Sequence, residues 1–246
     1  MKIDPLSQFS IKSLYPLSWG GFDVSFTNAA AHMVFGVVFV LGVLMFLTRS
    51  NHTVPSRGQM AAELLFQFLA DMVKTYTGKE GLKYTPWVFS LFLFILTGNL
   101  LGLFPFAYTV TSQLIVTFTL ACLVFFGVTL IGFFKHGLGF LRFFMPQGIP
   151  FYVAPLLVPV EIISYFSRPV SLSVRLFANM VAGHVMLKIF TAFAALLASG
   201  WLMPVAVFPV IITTALFLFE LLVAVLQAYV FTILTCIYLN DALHLH

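Results

Sequence analysis

Two apolar runs dominate the C-terminal half of the chain, one from about Pro150 to Ala198 and the other from about Leu202 to Asn240. As helices, at 1.5 Å rise per residue, they would be roughly 70 Å and 55 Å long, against a bilayer hydrocarbon core of about 30 Å. Each run is therefore either two spans or one helix tilted far from the membrane normal. Pro155, Pro159, Pro169, Pro204 and Pro209 permit bends. Yet no polar loop interrupts either run, which favours one long tilted helix in each. Composition points the same way: 61% of the 246 residues are hydrophobic and 8% are charged, whereas soluble domains carry about 25% charged residues. The chain reads as a single all-α polytopic membrane domain over 1–246. The net charge of +4 rests on few residues, so it bears on membrane topology and not on nucleic-acid binding.

Residues 1–26 are polar and turn-rich, with Pro5, Pro16 and Gly20-Gly21, and read as an extended arm on the membrane surface. They lack the apolar core of a signal peptide. The first span covers 27–48, with its helix from about Asn28 to Leu47. Residues 57–76 differ, because Gln59, Glu63, Gln67, Asp71 and Lys74 recur every three or four positions and draw one polar stripe along an amphipathic helix. Such a helix lies in the interface or packs on other spans. A loop, TGKEGLKYTP, leads to a helical hairpin over 87–134, with spans at about Trp87–Phe104 and Thr111–Phe134. The long hairpin over 150–240 completes about five crossings.

Several chemistries are absent. No GxxxxGK[ST] phosphate loop occurs. Cys122 and Cys236 lie in separate apolar runs and suit neither a disulfide nor a metal pair. No cofactor or metal is expected. Arg49, Arg57, Lys74, Lys79, Lys83, Lys135 and Arg142 fall in loops of one side, while the opposite loops around 107–109 and 199–203 hold no Lys or Arg. Basic loops stay inside, so five crossings put the N-terminus outside and His246 inside.

Charge inside hydrocarbon costs roughly 2.5–3.5 kcal/mol per group on insertion scales. The stretch EIISYFSRPVSLSVRLFANMVAGHVMLK nevertheless holds Glu161, Arg168, Arg175, His184 and Lys188. Glu161, Arg168 and Arg175 are spaced by seven and form one slowly drifting stripe, with Asn179 a turn further on. Thr213, Glu220, Gln227 and Asp241 follow a similar series on the last run. Folding the two runs back about Gly200-Trp201-Leu202 sets three polar pairs at equal depth: Arg175 with Gln227, His184 with Glu220, and Glu161 with Asp241. Histidine and carboxylates exchange protons near neutral pH when their surroundings shift them, whereas arginine stays charged. The order is titratable group, fixed cation, titratable group, which describes a proton path interrupted by a permanent charge.

From spacing alone other readings stand beside this one. Arg175 also fits a structural ion pair with Glu161 or Glu220. Arg168, before Pro169, also fits a helix-bend brace or a partner for Glu161. Lys188 snorkels to the interface, Asn99 fits a bond to a neighbouring helix as well as a place in an outer channel, and Asp241 fits a solvated tail charge as well as an inner exit. His32, His52, His136, His244 and His246, at or near span ends, read as surface residues.

The motif SLSVRLFANMVAGH, with the later LLVAVLQAYVFTILTCIYL, resembles subunit a of the F-type ATP synthase, and the resemblance covers most of the chain. It implies a proton-translocating stator subunit, not catalytic on its own, with two offset half-channels beside a rotating ring of c subunits. Further implied partners are the peripheral-stalk b subunits, the other subunits of the complex and the lipid bilayer. Arg175 is then the stator arginine facing the ring carboxylate, Gln227 the glutamine near it and Asn179 the asparagine after it. Glu161 matches the acid of the inner half-channel, and His184 with Glu220 the outer pair. Many bacterial members have acid and histidine in the opposite order; this chain has the order of mitochondrial-type members. The resemblance implies a bacterial inner membrane, with the mitochondrial inner membrane as the alternative setting. A secondary ion transporter is the competing function, but such proteins show repeated halves, and the last hairpin has no counterpart in residues 27–134. A purely structural scaffold would not need the aligned polar pairs.

Overall fold

The structure is a computed structural model that describes residues 11, 13–16, 18–19, 22–23, 25–49, 56–104, 107–137, 139–140, 154–198 and 203–244. The first ten residues, Gly20-Gly21, His52, Pro105, Arg142, Pro150, the turn at Gly200-Trp201-Leu202 and His246 lie outside them. Six α-helices carry the architecture: α1 (Asn28–Leu47), α2 (Arg57–Gly81), α3 (Thr85–Gly102), α4 (Leu114–His136), α5 (Ala154–Ala198) and α6 (Val207–Leu243). Among the described residues five helical segments are long and apolar enough to cross a membrane, with α2 and α3 counted together as one of them. Each of the two C-terminal runs holds one long unbroken α-helix, of 45 and 37 residues, the second preceded by a 3₁₀ segment over Met203–Ala206. Pro159 and Pro169 lie inside α5 without ending it.

The N-terminal arm has more structure than its turn-rich sequence suggested, and one expectation needs correction. Within the N-terminal arm β1 (Ser13–Tyr15) runs antiparallel to β4 (Phe26–Thr27), and β2 (Ser18–Trp19) to β3 (Phe22–Asp23). Pairing satisfies backbone groups that a lone extended strand leaves to solvent. The stretch TGKEGLKYTP is almost wholly helical instead of a loop. The break in α2 is confined to Gly78, whose φ of 68° and ψ of −165° suit a residue without Cβ. A single 3₁₀ turn over Leu82–Tyr84 then leads into α3.

The helix ends have local causes. Ser56 caps α2 by accepting from the Gln59 amide at 3.3 Å. Along α2 the polar stripe keeps Glu63, Gln67, Asp71 and Lys74 exposed, while Ala62, Leu69, Met72, Val73 and Thr77 are buried. The far end of α6 is closed by cations, since Lys135 Nζ and His136 Nε2 donate to the Leu243 carbonyl at 3.0 and 3.2 Å. Lys135 also forms an ion pair with Glu80, and Glu80's carboxyl is held below its usual range chiefly by that ammonium.

The chain divides into two compact units. One draws on the strands, α1 as far as Leu41, Phe94–Leu114 and Leu176–Ala228. Its buried groups include Ile95, Asn99, Leu176, Met180, Ala224 and the whole segment Tyr108–Ser112. A buried connection must satisfy its own backbone. Here Ser112 donates through both Oγ and N to the Thr109 carbonyl, at 2.6 and 3.2 Å. The Tyr108 amide donates to His32 Nε2 at 3.3 Å. His32, read above as a surface residue, is therefore half-buried and bonded at both ring nitrogens, with Nδ1 donating to the Asn28 carbonyl at 2.9 Å.

The other unit draws on Gly42–Leu93, Ile115–Arg175 and the chain from Tyr229 onward. Val73 of α2, Val88 of α3 and Cys236 of α6 are fully buried together, with Trp87 against them. Cys236 sits in apolar packing, the inert setting expected for it. Only 6%, 11% and 17% of the most apolar stretches of α1, α5 and α6 are buried within the chain. Their remaining surface, which includes Phe35, Phe39, Phe208, Phe219 and Leu222, needs lipid or partner subunits to cover it.

Candidate functional site

In the first unit the site begins at a gap in a side-chain row. Gly183 of α5 presents no Cβ toward α6, and a Cβ built there would meet Glu220 Oε1 at 2.6 Å and Cδ at 2.8 Å. The missing atom lets the carboxyl group lie directly against α5, beside the next residue, His184. His184 Nε2 stands 3.7 Å from Glu220 Oε1 and 3.0 Å from Thr109 Oγ1. All three side chains are buried, and neither Glu220 oxygen has a hydrogen-bond partner among the described residues. A buried carboxylate with no bonds is expensive, so its position next to an imidazole is the feature of this site that demands a chemical role. A separation of 3.7 Å is about 1 Å longer than a direct charge-assisted bond.

Two turns along α6 from Glu220, Gln227 is buried and accepts a hydrogen bond at 2.8 Å from the amide of Asn179 on α5. Asn99 of α3 is fully buried and donates to the Ala224 carbonyl at 3.2 Å. That is the interhelical bond weighed for it from sequence, yet its own Oδ1 is left without a partner among the described residues. His184 and Glu220 stand side by side, as their equal depth predicted, whereas Gln227, which the same register set level with Arg175, is bonded to Asn179.

The second unit holds a different cluster. Arg168 Nη1 donates to Asp241 Oδ2 at 2.9 Å. The guanidinium lies over two tyrosine rings, 5.4 Å from the centroid of Tyr165 and 4.9 Å from that of Tyr238. Tyr165 is tied in turn to Thr129 of α4 at 2.6 Å. This corrects the expected pairing of Glu161 with Asp241. Equal depth on straight helices would have faced two carboxylates, whereas Asp241 pairs with the cation one heptad along the same stripe. Glu161 is half-buried on α5. Arg175 is exposed. Among the described residues no three His, Cys, Asp or Glu side chains gather as a metal would need.

Thr109 and the tyrosine pair were not singled out from sequence. The tyrosines had a legible signal, since Tyr165 precedes Arg168 by three residues and Tyr238 precedes Asp241 by three, one helical turn in each case. Thr109 had none, because it stands on a connecting segment whose burial only the folded chain reveals.

These features define a class: a helical polytopic membrane protein with a buried acid–imidazole pair and an aromatic-flanked ion pair on two very long helices. Comparison with known proteins narrows it. The family described as ATP synthase A chain matches residues 30–240. A relative from Rhizobium etli named ATP synthase subunit a is 53% identical over 246 residues, covering 99% of this chain and 98% of the relative. One from Mesorhizobium japonicum with the same name is 52% identical over 99% of this chain and 97% of its own. One from Brucella anthropi, named ATP synthase subunit a 1, is 52% identical over 99% of both. The chain belongs to the ATP synthase A chain family.

Proposed function

We propose that this protein is the proton-translocating stator subunit of a rotary F-type ATP synthase, carrying protons between two offset half-channels and a rotating ring of c subunits. The observation that carries the reading is the buried pair of His184 and Glu220, two groups able to exchange a proton, held side by side in the apolar body of α5 and α6. In this reading they form the outer half-channel, with Asn99 as a secondary member. Glu161 serves the inner half-channel, and Asp241, held by Arg168, flanks it.

Arg175 is the fixed charge between the two paths. Its exposure on a helix whose neighbouring surface is apolar supports this role, because a guanidinium in hydrocarbon needs an anionic partner. A ring carboxylate supplied by another chain meets that need, and a cation of permanent charge keeps protons from leaking directly between the channels. Asn179 sits one turn from Arg175, and its bond to Gln227 supports a polar frame at that depth.

The extensive uncovered apolar surface of α5 and α6 supports a partner ring along these helices, which then lie as a tilted hairpin. Peripheral-stalk b subunits and lipid cover other faces. By the distribution of Lys and Arg the N-terminus is outside and the C-terminus inside an energy-coupling membrane, the bacterial inner membrane given the sources of the relatives. The test is Arg175→Ala in membranes with the complex assembled. ATP-driven proton pumping and ATP synthesis should both be lost. Normal coupled pumping in that variant refutes the proposal.

A further inference from the structure

We infer that Thr109 is a positioning residue for proton transfer between His184 and Glu220, its hydroxyl serving as a two-way hydrogen-bond partner that holds the imidazole in both protonation states. The inference rests on the half-channel reading above. His184 Nε2 lies between Thr109 Oγ1 at 3.0 Å and Glu220 Oε1 at 3.7 Å. Thr109 Oγ1 in turn lies 3.3 Å from the Gly102 carbonyl, to which it donates. Oγ1 thus sits between a carbonyl that only accepts and a ring nitrogen that donates or accepts according to its proton.

Both states are served by rotation of one hydroxyl. When Nε2 carries hydrogen, Thr109 donates to the Gly102 carbonyl and its oxygen accepts from Nε2–H. When the imidazolium gives that proton to the Glu220 carboxylate, the Nε2–H bond breaks, an O–H bond forms on Oε1, the imidazole becomes neutral and the carboxylate becomes a carboxylic acid. Nε2 then presents a lone pair, and the Thr109 hydroxyl turns from the carbonyl to donate to it. The transfer needs the pair to close by about 1 Å, from 3.7 Å to a direct bond, and the hydroxyl gives the ring a fixed pivot for that swing. Among the described residues the charged groups nearest in place to His184 are Glu220 of α6, 3.7 Å away, and Lys188, four residues or about one turn further along α5.

The surroundings hold Thr109 rigidly. It is 4% exposed, and its carbonyl takes the two bonds from Ser112. A Cβ on Gly102 would meet Thr109 Cγ2 at 2.6 Å, so Gly102 is the opening into which the threonine fits. A valine keeps the shape and loses the hydroxyl, while a serine keeps the hydroxyl and loses the methyl group against Gly102. A packing role and a hydrogen-bonding role therefore predict opposite orders for the two variants.

The experiment measures passive and ATP-driven proton flux against outer pH in membranes carrying the assembled complex, for Thr109→Val and Thr109→Ser, with Thr109→Ala as the hydroxyl-free variant where Thr109→Val does not assemble. His184→Ala and Glu220→Gln are run beside them. The expected result is a flux about five-fold lower without the hydroxyl, with the outer-pH midpoint moved by about half a unit to one unit, the equivalent of one hydrogen bond. Thr109→Ser should keep most of the flux and the original midpoint. Wild-type flux and midpoint in the hydroxyl-free variants, or a serine variant impaired more than the valine, overturns the inference while the half-channel reading stands. Unchanged flux in His184→Ala and Glu220→Gln overturns both.

Discussion

Gly183 is the position where the smallest change should have the largest consequence. A Cβ there would lie 2.6 Å from Glu220 Oε1, 2.8 Å from Cδ and 3.1 Å from Cγ. Restoring an ordinary contact of about 3.4 Å moves the carboxyl group by about 0.8 Å. If it moves directly away from His184, the 3.7 Å separation grows to about 4.5 Å. Overpacking of this kind costs about 1–3 kcal/mol where neighbours cannot yield. The effect on transfer is greater, since misplacement by about 1 Å costs on the order of 100-fold in a step that depends on approach. Gly183→Ala should therefore assemble with only modest loss of stability and lose proton flux by roughly 10- to 100-fold. The assay is ATP-driven acidification of inverted vesicles, normalised to assembled complex, and the control is a second substitution. Glu220→Asp withdraws the carboxyl group by one methylene and relieves the contact, so the double variant should lose less than the product of the two single losses. Wild-type pumping in Gly183→Ala, or strictly multiplicative losses, would refute the claim that this glycine sets the acid's position.

Three further outcomes test the second unit. Asp241→Asn should destabilise the chain by about 1–3 kcal/mol, less than the 3–5 kcal/mol of a fully buried pair, because Arg168 and Asp241 keep 20% and 25% of their side chains exposed. Arg168→Lys should not be conservative, since an ammonium cannot lie flat over both tyrosine rings; thermal release of this chain from the purified complex reads both. The Glu80–Lys135 pair should show a definite pH sign. Glu80's carboxyl is depressed in the folded chain, so its contribution is present above the unfolded value of about 4.3 and disappears as pH falls through the lower folded value. The melting difference between wild type and Glu80→Gln should thus be small, vanish in acid and shrink with added salt, as an exposed pair requires.

The periodic features were legible in the chain. The α1 boundaries, the polar stripe on α2 and the two long helices all follow from run length and from spacing on a helix. The apposition of His184 and Glu220 was legible because both residues lie on helices whose rise per residue is fixed. The same arithmetic failed for Asp241. It treated every polar pair as equivalent and ignored that two carboxylates repel while Arg168 stands on the same stripe. Thr109 was illegible for a different reason: its importance comes from the burial of a connecting segment, and no periodicity governs where such a segment lies. The 77–86 region misled because Gly, Lys and Glu read as a loop, while one glycine at positive φ was enough to turn the helix and let it continue.

The triple junction at Lys135 has a mechanical side. A long helix loaded from the side behaves as a beam, and its deflection depends more on how its ends are held than on what touches its middle. One ammonium, bonded to the Leu243 carbonyl and paired with Glu80, ties the end of α6 to α4 and to the end of α2. That makes the last helix a cantilever with a built-in root, so that a sideways load on it is carried at this end into α4 and α2 and does not swing its C-terminal end.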